Sequence, residues 1–334
     1  MNPVAIHIGS TVIYWSSLVI ALGIAACFFI SLALYTSYAG GGGPMWMLLP
    51  LAVIFSVVLS RLIHWYCHIE QYPGLLGALT DYSAGGYCLP GAIVGTVLAA
   101  LLVGRLGFTD NVARLLDAIA PGAALGIAFI RLSALFNYSC RGKITVKTPA
   151  LQRLPLASPV YSGGLTDYRF ATFFVQFIIM LILFVLIFRF YLKHRNSPMK
   201  GDMSRDGHTA MVFLLYYSAI EVVMDSTRYD SSFLQFNGFV SIVQIFAGVC
   251  ILAIFVYYTV MAVRVNGKRF KQILLWVLFL IALGGAGYSE YMVQRHGDWY
   301  LGCYTAMSLC MVLLSSSVFS MYKSCRRKKR KMQY

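Results

Sequence analysis

Residues 169–192 read RFATFFVQFIIMLILFVLIFRFYL, 24 residues without one acidic side chain. A helix rises about 1.5 Å per residue, so about 20 apolar residues cross a hydrocarbon core roughly 30 Å thick. This run is long enough to span, and comparable stretches occupy 10–36, 45–67, 86–104, 112–138, 208–227, 238–263, 271–289 and 301–322. The reading is an all-α, polytopic integral membrane helix bundle of nine spans. Composition agrees: 59% of the 334 residues are hydrophobic and 12% charged, against about 25% charged in soluble domains. A water-soluble globule, collagen, coiled coil and disorder are thereby excluded. The start, MNPVAIHIGSTVIYW, lacks the basic segment of a signal peptide, so the first run is expected to remain as a span.

Charge orients the stack. The chain has 27 Lys and Arg against 12 Asp and Glu, a net charge of +15, concentrated in short connections rather than in a nucleic-acid-binding stripe. Four connections are dense in cations: Arg105 with Arg114; Lys193, Arg195, Lys200 and Arg205; Arg264, Lys268, Arg269 and Lys271; and the tail KSCRRKKRK. They follow alternate spans and fall on one side, which the positive-inside rule makes cytoplasmic. The N-terminus is then external and the C-terminus cytoplasmic, where the tail meets anionic membrane lipids. The longest external connection, 139–168, carries Arg141, Lys143, Lys147 and Arg153. It reads either as a solvated loop or as a contact for headgroups or an anionic substrate.

Ionisable side chains within spans are costly and therefore mark candidate sites. Arg61, Arg131, Glu221, Asp225 and Arg228 all fall near the external leaflet. Glu221, Asp225 and Arg228, spaced by four and three, share one helical face. They form either an ion-pair ladder that holds helices together or a site for a charged headgroup, with Arg131 or Arg61 as the cation across the bundle. The Gly-rich segment GGYCLPGAIVG, containing Gly85, Gly86, Pro90, Gly91 and Gly95, reads as a short, broken helix of the kind that lines a cavity.

Several features carry no chemistry. The eight cysteines form no CxxC pair and no metal-ligand spacing; Cys140, in a polar connection, is the one thiol of interest. His7, His64 and His68 read as interfacial. Gly40–Gly43 read as a flexible hairpin without the lysine and serine of a phosphate loop. Neither GxSxG nor HExxH occurs, and no cofactor or metal is expected.

The stretch from Asp117, DAIAPGAALGIAFIRLSALFNYSCRGK, resembles the signature of the prolipoprotein diacylglyceryl transferase family, with Asp117, Ala120, Pro121, Leu125, Gly126, Arg131, Asn137, Cys140 and Gly142 at matching offsets. STVIYWSSLVIALG resembles that family's first helix and GGYCLPGAIVG its third segment. YYSAIEVVMDSTRYD, followed by Ile242, Gln244 and Ile245, resembles its sixth-helix motif. The resemblance covers about residues 1–260. It implies a seven-helix family-like unit at 1–263, two added spans at 264–322 and a basic tail at 323–334.

The resemblance also implies a function: transfer of a diacylglyceryl group from phosphatidylglycerol to the lipobox cysteine of a prolipoprotein in a bacterial plasma membrane, with release of glycerol phosphate. Arg131, with Asp225 or Glu221 as base or orienting carboxylate, is the implied catalytic set. Arg228, Arg61, Asn137, Gly142 and Gln244 are the implied substrate contacts. The chain departs from the pattern at Ser16, Pro90, Ala134, Ser139 and Glu221, the last standing where the motif has arginine. Those departures raise a second reading, a relative that binds phospholipid or precursor without transfer. A transporter is the third, and the chain lacks the paired halves that carriers show.

Overall fold

The computed structural model describes residues 3–8, 11–72, 74–80, 86–137, 141–162, 165–195, 199, 204, 206–234, 238–267, 269–297 and 299–326. Gly85, Ser139, Cys140, Lys200, Arg205, Lys268 and the tail beyond 326 lie outside them. The chain opens with a hairpin of β1 (Val4–Ile8) and β2 (Thr11–Tyr14) and continues through α1 (Trp15–Ala39), α2 (Gly43–Cys67), the short α3 (Leu75–Thr80), α4 (Leu89–Arg105) and α5 (Val112–Ser133). After α6 (Pro149–Gln152), β3 (Ala157–Ser162) and β4 (Leu165–Phe170), the helices α7 (Thr172–His194), α8 (His208–Ser226), α9 (Ile242–Asn266), α10 (Phe270–Tyr291) and α11 (Tyr300–Cys325) complete it. Among the described residues, eight helices are long and apolar enough to cross a membrane, and α4, with 17 residues, is the shorter ninth. The protein is an all-α, multi-pass membrane helix bundle.

Expected and observed spans agree within a few residues except where local chemistry intervenes. The first helix starts at Trp15, not at 10, because Val4–Tyr14 is rich in β-branched residues and pairs as an antiparallel hairpin, Val4 opposite Tyr14 and His7 opposite Val12. The fourth stops at Ser133 rather than 138. The 139–168 connection is not a plain loop, since β3 and β4 pair in register from Ala157 opposite Phe170 to Ser162 opposite Leu165.

Small residues set the tightest packing. On α4, a Cβ at Gly91 would run into the Ser60 backbone, and one at Gly95 would stand 2.6 Å from that of Phe55. The Gly-rich segment from Leu89 is therefore a continuous helix seated on α2, which corrects the broken-helix reading: its glycines let two backbones approach. The signature helix α5 repeats the device against α1. A Cβ at Gly122 would stand 2.5 Å from the Cys27 carbonyl oxygen, and one at Gly126 would stand 3.2 Å from Cys27 Cβ.

One apolar cluster fills the space among α1, α2, α4 and α5, with Leu34, Met45, Val103 and Leu115 buried in it. A second joins α8 and α9 to the added pair α10–α11 through Leu215, Phe255, Phe279 and Leu314. A third, including Ile127, Leu183 and Phe213, ties α5 to α7 and α8. Lipid tails are as apolar as these side chains, so close van der Waals packing and paired polar groups, rather than transfer out of water, hold such helices together. Asp117, the signature aspartate, caps α8 from α5: its carboxylate accepts from the backbone N–H of Gly207 at 2.7 Å and of Ala210 at 2.8 Å. An anion on a helix N-terminus meets both the orphan donors and the helix dipole.

Candidate functional site

The ends of α5 and α8 meet beside the 141–170 segment, and there the buried charges collect. Arg131 sits in the last turn of α5, Glu221 and Asp225 on one face of α8, and Arg228 just beyond its end. Glu221 is fully buried. Its Oε1 accepts from Arg131 Nη2 at 2.5 Å, and its Oε2 accepts from Gln176 Nε2 of α7 at 2.5 Å. Arg228 Nη1 lies 3.4 Å from Asp225 Oδ1 and 3.9 Å from Glu221 Oε1, while its Nε donates to Asp230 at 3.1 Å. Ser241 Oγ, at the N-terminus of α9, donates to Asp225 Oδ2 at 2.5 Å.

Of the two readings of the polar stripe, the ion-pair ladder is present. Arg228 closes an i, i+3 ladder along α8. The shorter contact runs between helices, from Arg131 to Glu221, as it must if each buried charge is to be paired.

The 141–146 segment is laced onto this group. Gly142 N–H donates to the Phe170 carbonyl at 2.8 Å, and Gly142 pairs with Arg228 in an antiparallel bridge. A Cβ at Gly142 would stand 2.7 Å from the Phe170 oxygen, so glycine alone fits without displacement. Lys143 N–H donates to the Thr227 carbonyl at 2.9 Å, and Tyr229 N–H to that of Arg141 at 2.8 Å. The expected substrate contact Gly142 therefore positions backbone.

The other sequence candidates divide. Gln244 takes part in a capping box: its Oε1 accepts from Ser241 N–H at 3.0 Å and its Nε2 donates to the Val222 carbonyl at 3.1 Å. It supports Ser241, which holds Asp225. Arg61 is buried on α2, where Nη1 donates to the Gly86 carbonyl at 3.0 Å and the guanidinium faces the rings of Tyr72 and Tyr87 at 5.6 and 5.4 Å. Asn137 lies partly buried in the turn after α5. Pro90, in the first turn of α4, stands where no intrahelical N–H is needed, and Ala134 is buried directly after α5.

Sequence reasoning passes over Gln176 and Ser241 and gives Tyr217 and Cys88 no role in the site. Gln176 is the polar residue inside the apolar run 173–188, and Ser241-Ile-Val-Gln244 is a legible capping box. The Tyr217 hydroxyl, one turn before Glu221, is buried and finds no hydrogen-bond partner among the described residues. Cys88, the residue preceding α4, is buried within electrostatic reach of Glu221, Asp225 and Arg228.

Fixed dipoles and paired charges in a site shielded from water can stabilise charge that develops on a ligand without reorganising. Among the described residues no cluster of His, Cys, Asp and Glu has the geometry of a metal centre.

Comparison with known proteins points the same way. A family model described as prolipoprotein diacylglyceryl transferase matches residues 3–260. Relatives named phosphatidylglycerol-prolipoprotein diacylglyceryl transferase include one from Dehalococcoides mccartyi, 25% identical over 237 residues, covering 70% of this chain and 84% of the relative. One from Parasynechococcus marenigrum is 29% identical, covering 69% and 81%. One from Streptococcus uberis is 25% identical, covering 75% and 93%. With a family match that spans most of its length, residues 3–260, the chain belongs to the prolipoprotein diacylglyceryl transferase family.

Proposed function

We propose that the chain transfers a diacylglyceryl group from phosphatidylglycerol to the lipobox cysteine of a prolipoprotein signal peptide. The observation that carries this reading is the buried group Arg131–Glu221–Arg228–Asp225, which occupies positions of the family's motifs and lies at one end of the bundle. The setting is a bacterial plasma membrane, with the N-terminus external and the C-terminus cytoplasmic.

In this reading the substrate thiol gives its proton to Asp225, because the thiolate is the nucleophile. Sulfur attacks the terminal glyceryl carbon of the diacylglyceryl moiety, a C–S bond forms, and the C–O bond to phosphate breaks. The electron pair leaves with glycerol phosphate, which takes up a proton on release. Arg228, at the mouth of the group, and Arg131, behind Glu221, offset the charge that grows on the phosphate oxygens, for which a planar guanidinium is suited. Ser241 holds Asp225 in register, and Gln176 together with Arg131 fixes both oxygens of Glu221.

One observation favours a second reading. Glu221 occupies the arginine position of the sixth-helix motif and neutralises Arg131 directly. A site so balanced binds a phospholipid or a precursor peptide without transfer. Mass spectrometry of a lipobox peptide, after incubation with the purified protein in phosphatidylglycerol micelles, separates the two. A diacylglyceryl mass gain on cysteine, absent for Arg131→Ala, is the expected result; a folded, lipid-binding protein that yields no gain overturns the transferase reading.

A further inference from the structure

The family match ends at residue 260, yet the helices beyond it reach into the site. Tyr304 of α11 donates its hydroxyl proton to the Ser226 carbonyl at 3.2 Å, at the end of α8. Gln294, in the wide turn Met292–His296 after α10, accepts from Lys143 Nζ at 2.9 Å, and its Nε2 donates to Glu290 Oε1 at 2.8 Å. Glu290 is buried, and its second oxygen has no hydrogen-bond partner among the described residues.

Lys143 differs from the arginines around it. Arg131 and Arg228 are each committed to carboxylates. The Lys143 ammonium, among the described residues, spends one N–H on Gln294 and rests 5.5 Å from the Phe233 ring centre. Two of the three donors of an ammonium are left over. Its backbone is fixed to Thr227 next to Arg228, and both Asp225 and Glu290 act on it electrostatically.

We propose that Lys143, held at the rim of the site by Gln294 and Glu290 of the added helices, is the cation that receives the phosphate group of the phospholipid. The assignment deepens the transferase reading and rests on it for the identity of the lipid. Glu221, Asp225 and Asp230 already answer the two guanidiniums, so a phosphate needs a further positive charge, and the added helices supply the means of aiming one. The chemistry recognised is a phosphodiester anion at the membrane interface with no headgroup cation of its own to offset it, which phosphatidylglycerol presents and phosphatidylcholine does not. Gln294 sets the direction of the ammonium, and Glu290, one helical turn back, orients the Gln294 amide; these two are positioning residues.

The test is native mass spectrometry of the full-length protein from nanodiscs of equal phosphatidylglycerol and phosphatidylcholine, with lipobox-peptide transfer measured on the same preparations. Retention of phosphatidylglycerol over phosphatidylcholine should fall about tenfold in Lys143→Gln, which keeps an amide able to bond Gln294, and stay within about twofold in Lys143→Arg. Gln294→Leu, which leaves the cation in place but unaimed, should lose a few-fold of the preference. An unchanged preference in Lys143→Gln, or an equal loss in Lys143→Arg, overturns the proposal. Displacement of the lipid by millimolar inorganic phosphate reassigns the cation to a soluble ion and also overturns it. Transfer by the wild type with no Lys143 dependence of lipid preference sinks this proposal and leaves the transferase reading standing. A Lys143-dependent preference without any transfer does the reverse.

Discussion

Arg131 of α5 and Glu221 of α8 stand 2.5 Å apart, both buried, and this contact ties the family's signature helix to its sixth-span motif. A charge stranded at this depth is far more costly than a pair, so removing one partner is worse than removing both. Glu221→Gln or Arg131→Ala alone should destabilise the bundle by about 3–5 kcal/mol. The double replacement Arg131→Met with Glu221→Leu should recover most of that loss and remain without transfer activity. Denaturation in mild detergent, followed by circular dichroism, checks the stability cycle. Additive losses in the double variant would show that the two charges are not coupled.

Ser241 serves two neighbours at once, accepting from Gln244 N–H at 3.1 Å as helix cap and donating to Asp225 at 2.5 Å. Ser241→Ala loses the cap, at about 1 kcal/mol, and frees the Asp225 carboxylate to rotate. Ser241→Thr keeps both bonds. The expected kinetic pattern is a drop of about tenfold in kcat for Ser241→Ala, with KM for the peptide little changed, and near wild-type kcat for Ser241→Thr. A drop of the same size in the threonine variant would assign the effect to packing.

The range of the interactions decides how much of this is legible from the chain. Hydrophobic runs report spans directly, because a span must be apolar over its own length, and each of the nine long runs forms a helix close to its expected place. Arg131, Glu221, Asp225 and Arg228 are visible because charge is rare in such runs. The sequence offers Arg131 or Arg61 as the cation across the bundle, and it cannot choose between them, since Arg131 and Glu221 are 90 residues apart and only the packing of α5 on α8 brings them together. Gly91 and Gly95 mislead because glycine in a short helix marks a break or a close approach with equal force, and Ser60 and Phe55 decide it from another helix. Lys143 is visible only as one cation among four in a connection. Gln294, which singles it out, lies 151 residues downstream.

Lys143 also predicts a pH dependence. Burial pulls its pKa below the ordinary 10.5 of lysine, opposed by Glu290 from the end of α10 and Asp225 from α8; Gln294 and Phe233 are its uncharged neighbours. A lowered pKa means the proton leaves at lower pH than from a free lysine. Lipid preference should therefore decline as pH is raised, and at a lower pH than an ordinary lysine would allow. Lys143→Arg, which stays charged, should flatten the curve. Lipid retention measured as pH is raised checks this, and coincident curves for wild type and the arginine variant would contradict it.

Two glycines of the long helices should respond oppositely to the same substitution. At Gly91 a Cβ meets the Ser60 backbone, where no side chain can rotate away, so Gly91→Ala must push α4 off α2. Separating backbones packed this closely strips contacts along both helices and disturbs the Ser60 Oγ bond to the Cys88 carbonyl at 2.7 Å, which anchors the start of α4 beside the site. The expected loss is about 2–4 kcal/mol, with transfer activity falling alongside. At Gly284, inside α10, nothing lies within 4 Å of the added methyl. There alanine gains the helix propensity that glycine lacks, up to about 1 kcal/mol, and Gly284→Ala should raise the melting temperature slightly without touching activity. Thermal unfolding of both variants in one detergent decides the matter: equal shifts would mean that close approach of α2 and α4 is not what the glycines of the third segment provide.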